Sequence, residues 1–125
     1  MYSHMMVGSN DIGRSKTFYD AVFTAIGGRE AILDPKGRLV YLHKDGVFLV
    51  TTPIDGEEAT YANGSTIGFA MDSPEQADAW HAAGAAAGGK SIEDPPGWRE
   101  GGGQRLYLAY LRDPDGNKLC ALFRG

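Results

Sequence analysis

The chain has 125 residues, 42% of them apolar and 22% charged, with a formal net charge of −4, the profile of one globular domain with one core. No basic block supplies the clustered Lys and Arg that a nucleic-acid surface or a polybasic membrane anchor needs, and no apolar run approaches the roughly 20 residues of a membrane-spanning helix. The single cysteine, Cys120, excludes an internal disulfide framework, and with no signal-peptide pattern at the N-terminus the expected setting is cytoplasmic.

The chain opens on His4-Met5-Met6-Val7-Gly8, which reads as a strand. Asn10 and Asp11 follow as helix N-cap candidates, because a short side-chain oxygen can accept from the free N–H groups of a first turn. Tyr19, Val22, Phe23 and Ile26 fall on one helical stripe, and Gly27-Gly28 ends it. Three apolar runs come next, 31–33, 39–42 and 47–50, separated by the turn formers Asp34-Pro35-Lys36-Gly37 and Lys44-Asp45-Gly46. The polar, aperiodic stretch 53–63 reads as a linker between a first unit, 1–52, and a second, 64–125.

The second unit repeats the order of elements. Residues 66–71 read as a strand, and Ser73-Pro74-Glu75-Gln76 as a capping box with Pro at the first helical position. Ala77, Trp80, Gly84 and Ala87 form the apolar stripe, Gly88-Gly89 the stop, and Lys90-Ser91-Ile92 a short strand. Residues 94–103 read as a Pro/Gly-rich excursion carrying Trp98 and Arg99. Two apolar runs, 106–111 and 119–123, close the chain around Asp113-Pro114-Asp115-Gly116-Asn117, where Pro presets φ and Gly accepts φ > 0. The expectation is an α+β fold: two βαβββ modules in tandem, forming curved mixed sheets around a cleft with the helices outside.

Three stretches carry a resemblance that spans nearly the whole chain: HMMVGSNDIGRSKTFYDAV, TIGFAMDSPEQADAWHAAGAAAGG, and PGWR followed by YLAYLRDPDGNK. In this order they resemble the glyoxalase, bleomycin-resistance and extradiol-dioxygenase group, the vicinal-oxygen-chelate superfamily. In its metal-using members, one side chain from the first and fourth strand of each module holds a cation. Carried over position by position, the resemblance places these ligands at His4, within 46–52, at Thr66 and at Cys120. Residues 46–52 contain no carboxylate, and Cys120 stands where a Glu is expected. A Zn, Ni, Mn or Fe site needs three or four donors at about 2.0–2.3 Å. An imidazole and a thiol are two, and a Thr hydroxyl is a weak third. The expectation is a degraded metal site and no cofactor, with His4 as a hydrogen-bonded histidine and Cys120 as a small buried hydrophobe.

Three functions follow from the resemblance. The first is binding of a small organic molecule in the cleft, with Tyr19, Phe48, Thr66, Trp98, Arg99, Tyr107, Tyr110 and Cys120 as its walls and Arg99 available to an anionic group. Tyr107 and Tyr110 lie three apart, so in a strand only one of them faces the cleft. The second is a metal-dependent lyase, isomerase or dioxygenase of glyoxalase type, in which the cation polarises substrate oxygens. The third is an interaction module with a vestigial cleft. The resemblance also implies a homodimer.

Overall fold

The computed structural model describes residues 1–125. The first module runs β1 (Met5–Gly8), α1 (Ile12–Ala25), β2 (Ile32–Leu33), β3 (Leu39–His43) and β4 (Gly46–Thr51). The second runs β5 (Ile67–Ala70), α2 (Pro74–Ala86), β6 (Lys90–Ser91), β7 (Gly97–Gly101), β8 (Gln104–Arg112) and β9 (Lys118–Arg124). Each module makes one mixed sheet, in the orders β1-β4-β3-β2 and β5-β9-β8-β6, with β7 also paired to β8. The first strand of each module lies parallel to its last, β1 on β4 and β5 on β9, and the remaining pairs are antiparallel. The two modules thus repeat one topology, as the repeated element order predicts.

The helices start where the sequence places their caps. The Asp11 side chain accepts from Arg14 N at 3.0 Å, and the Ser73 side chain accepts from Gln76 N at 3.1 Å. Gln76 returns a bond to Asp72 N at 2.7 Å, one residue before the cap itself.

Residues 94–103 differ from expectation. Prolines and glycines at 95–97 and 101–103 mark this stretch as a loop, yet Trp98 pairs with Tyr107 and Arg99 with Leu106 to make β7. The strand is created by the long partner β8, which no local propensity announces. It leaves the second module with one strand more than the first.

A single core of 17 residues draws on both modules. From α1 come Phe18, Tyr19, Val22 and Phe23; from α2, Ala77 and Trp80; from the sheets, Leu39, Tyr41, Phe48, Val50, Ala109, Leu111, Leu119 and Ala121. The helices therefore cover one face of each sheet and also touch each other. Their contact is close because Gly84 has no side chain. A Cβ there would lie 2.4 Å from Leu111 Cδ1 and 2.9 Å from Val22 Cγ1. The other face of each sheet is left open. In the first sheet it carries Met6, Leu49, Val40 and Ile32 in register across the strands, with Leu42 alongside.

Gly84→Val is expected to destabilise the protein by about 1–3 kcal/mol, the usual range for overpacking, read as a lowered midpoint in urea unfolding followed by circular dichroism. Gly13→Ala, on the exposed side of α1 where an added Cβ approaches no neighbour closer than 3.6 Å, is expected to be neutral or to stabilise by up to about 1 kcal/mol.

Candidate functional site

The seam between the modules differs at its two ends. One end is closed by the turn between β8 and β9. Asp113, 4% exposed, accepts from Tyr19 Oη at 2.6 Å and Asn117 Nδ2 at 2.8 Å through one oxygen, and from the N–H groups of Asp115 and Asn117, each at 2.9 Å, through the other. Burial pushes the Asp113 carboxyl up from its ordinary value and the Tyr19 phenol well up from its own. Asn117 Nδ2 also reaches Gly8 O on β1 at 3.2 Å, and Asp115 accepts from Asn10 N, Arg14 and Ser15 at 2.8–3.2 Å. The closing turn of the second module is thereby fastened onto the first strand and helix of the first module.

The other end stays open as a pocket of about 510 Å³, within the range of small-molecule sites. Its floor is aromatic. Phe23, Phe48 and Phe69 have ring centroids 5.4–5.9 Å apart, in tilted and edge-on arrangements. Met5 and Ile67 extend the apolar lining. Tyr41 lines it too, with its ring stacked on Phe23 at 4.6 Å. The Tyr41 hydroxyl donates to Asp20 Oδ1 at 2.7 Å, and this carboxylate also accepts from Ala31 N at 2.9 Å and Lys16 at 2.6 Å. One wall is β5, the outer strand of its sheet. Opposite lies the β3–β4 turn with His43 and Lys44.

The residues singled out from the sequence separate into groups. Phe48 and Thr66 line the seam pocket. Tyr19 lies in the core, with its hydroxyl on Asp113. Trp98 and Tyr107 stack edge-to-face at 5.3 Å, and Tyr107 donates to Asp78 of α2 at 2.6 Å, a bond that pushes its phenol up to about 12. Tyr110 faces the opposite way, as the odd spacing requires. It shares the open face of the second sheet with its cross-strand partner Cys120, between Arg99 and Lys118. Arg99 spends its guanidinium on the carbonyls of Leu108, Asp94 and Pro95, each at 2.9 Å. Burial pushes the Cys120 thiol up, away from the nucleophilic thiolate. His4 is exposed and meets Ser3 Oγ at 2.8 Å. No three His, Cys, Asp or Glu side chains form a group that could hold a metal ion, and of the positions His4, Thr66 and Cys120 only the imidazole and the thiol are strong donors. The sequence reading missed Phe23, Tyr41, His43, Lys44 and Phe69 as pocket residues; the aromatics read there as core stripe, and His43 and Lys44 as a hairpin end.

A family model described as the Glyoxalase/Bleomycin resistance protein/Dioxygenase superfamily matches residues 2–121. The chain belongs to this superfamily. Among solved structures, a glyoxalase/bleomycin resistance protein from Albidiferax ferrireducens T118 is 56% identical with a TM-score of 0.95, the match covering 99% of each chain. A glyoxalase/bleomycin resistance protein/dioxygenase family enzyme from Burkholderia phytofirmans PsJN is 21% identical at TM-score 0.72, over 97% of this chain and 96% of that one. A lactoylglutathione lyase from Agrobacterium tumefaciens is 19% identical at 0.66, over 98% and 92%. The last two share the superfamily's fold. No protein of curated function matches the chain. No helix is long and apolar enough to cross a membrane.

Asp20 holds the Tyr41 wall in place. Burial alone would raise its carboxyl, but Lys16, Ala31 N–H and Tyr41 together hold it below its ordinary value of 3.8. A lowered value stabilises the fold above the ordinary one, and that contribution is lost as the carboxylate protonates in acid. Asp20→Asn is therefore expected to cost about 1 kcal/mol at neutral pH. The gap from wild type should close as pH falls below 3.8, as measured by urea unfolding across a pH series.

Proposed function

We propose that this superfamily member binds a small organic molecule, without a metal, in the seam pocket between its modules. The observation that carries the reading is the pocket itself. It has about 510 Å³ of space beside three phenylalanine rings, with an unpaired strand edge on one side and a few polar groups, among them His43, Lys44 and Thr66, in an otherwise apolar lining. That is the usual composition of a ligand site: an apolar body with a few convergent polar groups that set orientation. Gly68 lines it from β5, and a Cβ built there meets nothing within 4 Å, so the space beside it is open. The inferred setting is the cytoplasm, where a lone thiol stays reduced.

The metal-free part of this reading rests on donor chemistry. His4 and Cys120 are two ligands of unlike softness, and the Thr66 hydroxyl is too weak to complete a set. Near-stoichiometric Zn, Ni, Mn or Fe retained after metal loading and desalting would return the glyoxalase-type lyase, isomerase or dioxygenase reading. Retention far below one ion per chain is the expected result.

We also infer a homodimer. Ile32 and Leu42 are 57% and 54% exposed on the open face of the first sheet, beside Met6 at 40%. An apolar sheet face of this kind is ordinarily covered, and a second copy is the partner that the superfamily's habit suggests. Sedimentation is expected to show a dimer that Leu42→Glu dissociates. A monomeric wild type would remove the inference.

For the pocket, a panel of small metabolites screened by thermal shift is expected to contain compounds that raise the midpoint of unfolding, since a ligand bound only by the native state stabilises it. Gly68→Phe, which places a ring on the pocket wall, is expected to abolish those shifts while leaving the unliganded midpoint within a few degrees. A panel without hits, or hits indifferent to Gly68→Phe, would favour the vestigial interaction module.

A further inference from the structure

The chain carries 16 acidic residues, yet no Asp or Glu lines the seam pocket. Its ionisable lining is Tyr2, Tyr41, His43 and Lys44. The Tyr41 hydroxyl is committed to Asp20, and burial together with that bond holds the phenol neutral. The fixed charge on the wall is therefore the Lys44 ammonium, with the His43 imidazole beside it. In a protein of net charge −4, an apolar pocket whose one permanent charge is positive is a selective environment, because a carboxylate inside meets a cation whose ion-pair partner, Asp72, stands outside the lining.

Two further observations concern Lys44. It occupies the first central position of the two-residue turn between paired residues His43 and Gly46, with φ +52°. Glycine, Asn or Asp takes that conformation at least cost, and a lysine there is a departure. The ammonium is aimed across the seam at Asp72 of the other module, 2.5 Å away, with the two side chains 55% and 62% exposed. An exposed pair of this kind is weak, because water screens it. Lys44 is thus presented at the pocket mouth and held there by a partner that gives it up easily.

The floor supplies the other half of the recognition. Phe23, Phe48 and Phe69 meet one another tilted and edge-on, and all three line the pocket, so a ring that enters meets an aromatic surface. Along the wall, Met71 N–H bonds to Leu122 O. In a parallel pair, alternate residues direct both backbone groups to the neighbouring strand. The groups of Gly68 and Ala70 therefore point away from β9, toward the seam, where they can meet a polar substituent.

We infer that the seam pocket takes a flat aromatic monocarboxylate, its ring on Phe23, Phe48 and Phe69 and its carboxylate on the Lys44 ammonium. The assignment rests on the seam pocket being the ligand site. Asp72 acts as a stand-in anion that occupies Lys44 until the ligand replaces it.

The test is a ¹H–¹⁵N NMR titration with two probes of the same shape, phenylacetate and the uncharged phenylacetamide. Phenylacetate is expected to move the signals of Lys44, Gly68 and Phe69 and to bind about tenfold more tightly than the amide, the scale of one charge-assisted hydrogen bond at a partly exposed site. Lys44→Met is expected to erase that preference, and Asp72→Asn, which frees the ammonium, to strengthen it. Equal binding of both probes, unchanged in Lys44→Met, would overturn the anion assignment while leaving the pocket reading intact. A response from neither probe, or shifts confined to residues outside the seam, would overturn the ligand class. The pocket reading would then be decided by the metabolite panel and Gly68→Phe.

Discussion

A carboxylate with almost no access to water joins the two modules. Asp113 sits in the last turn of the chain and accepts from a tyrosine hydroxyl 94 residues earlier, on the first helix. A buried carboxylate is costly unless each lone pair is used, and Asp113 uses its own on Tyr19, Asn117 and two backbone N–H groups. The turn that presents it is rigid for the same reason. Asp115 and Asn117 then reach α1 and β1, so one polar knot sets the spacing and angle between the sheets. The far end of the seam carries no such knot. Its sides are largely apolar, and the pocket lies there beside Phe48 and Phe69, whose rings meet edge-on.

Much of the architecture is readable along the chain because its signals are local. Asp11 and Ser73 cap helices through bonds to residues three positions on. Pro114 and Gly116 define the last turn, with Gly116 at φ +92°. β7 is not readable, because it owes its existence to β8 and strand breakers stand at both its ends. The site was less legible still. Tyr19 looks like a cleft tyrosine until its partner, distant in sequence, is seen. Phe23 and Phe48 belong to core stripes and also to the pocket floor, a double role that no periodicity distinguishes. His43 and Lys44 read as a hairpin end, and only the meeting of that hairpin with β5 makes them a wall.

The superfamily scaffold and the side chains at its customary ligand positions answer to different constraints. Pairing, twist and core depend on apolar residues and turns, and these follow the family over residues 2–121. Cation binding depends on a few polar side chains that contribute little to the fold, so they can be exchanged at small cost to it. At Cys120 the exchange even suits the sheet, because a small polarizable side chain packs where a carboxylate would have to be solvated or paired. The open sheet face and the seam pocket meet at Val47, which pairs with Leu42 on that face and also lines the pocket.

The shared core gives the pocket floor a second burden. Phe23 and Phe48 belong to the cluster that unites both helices and both sheets, and Phe69 packs against it. A substitution that reshapes the floor to suit a different guest also loosens the body of the protein, whereas one at the mouth leaves the body untouched. Diversification of such a chain should therefore run fastest around its rim, with the three rings inherited as a fixed platform and new preferences written in the hairpin above them.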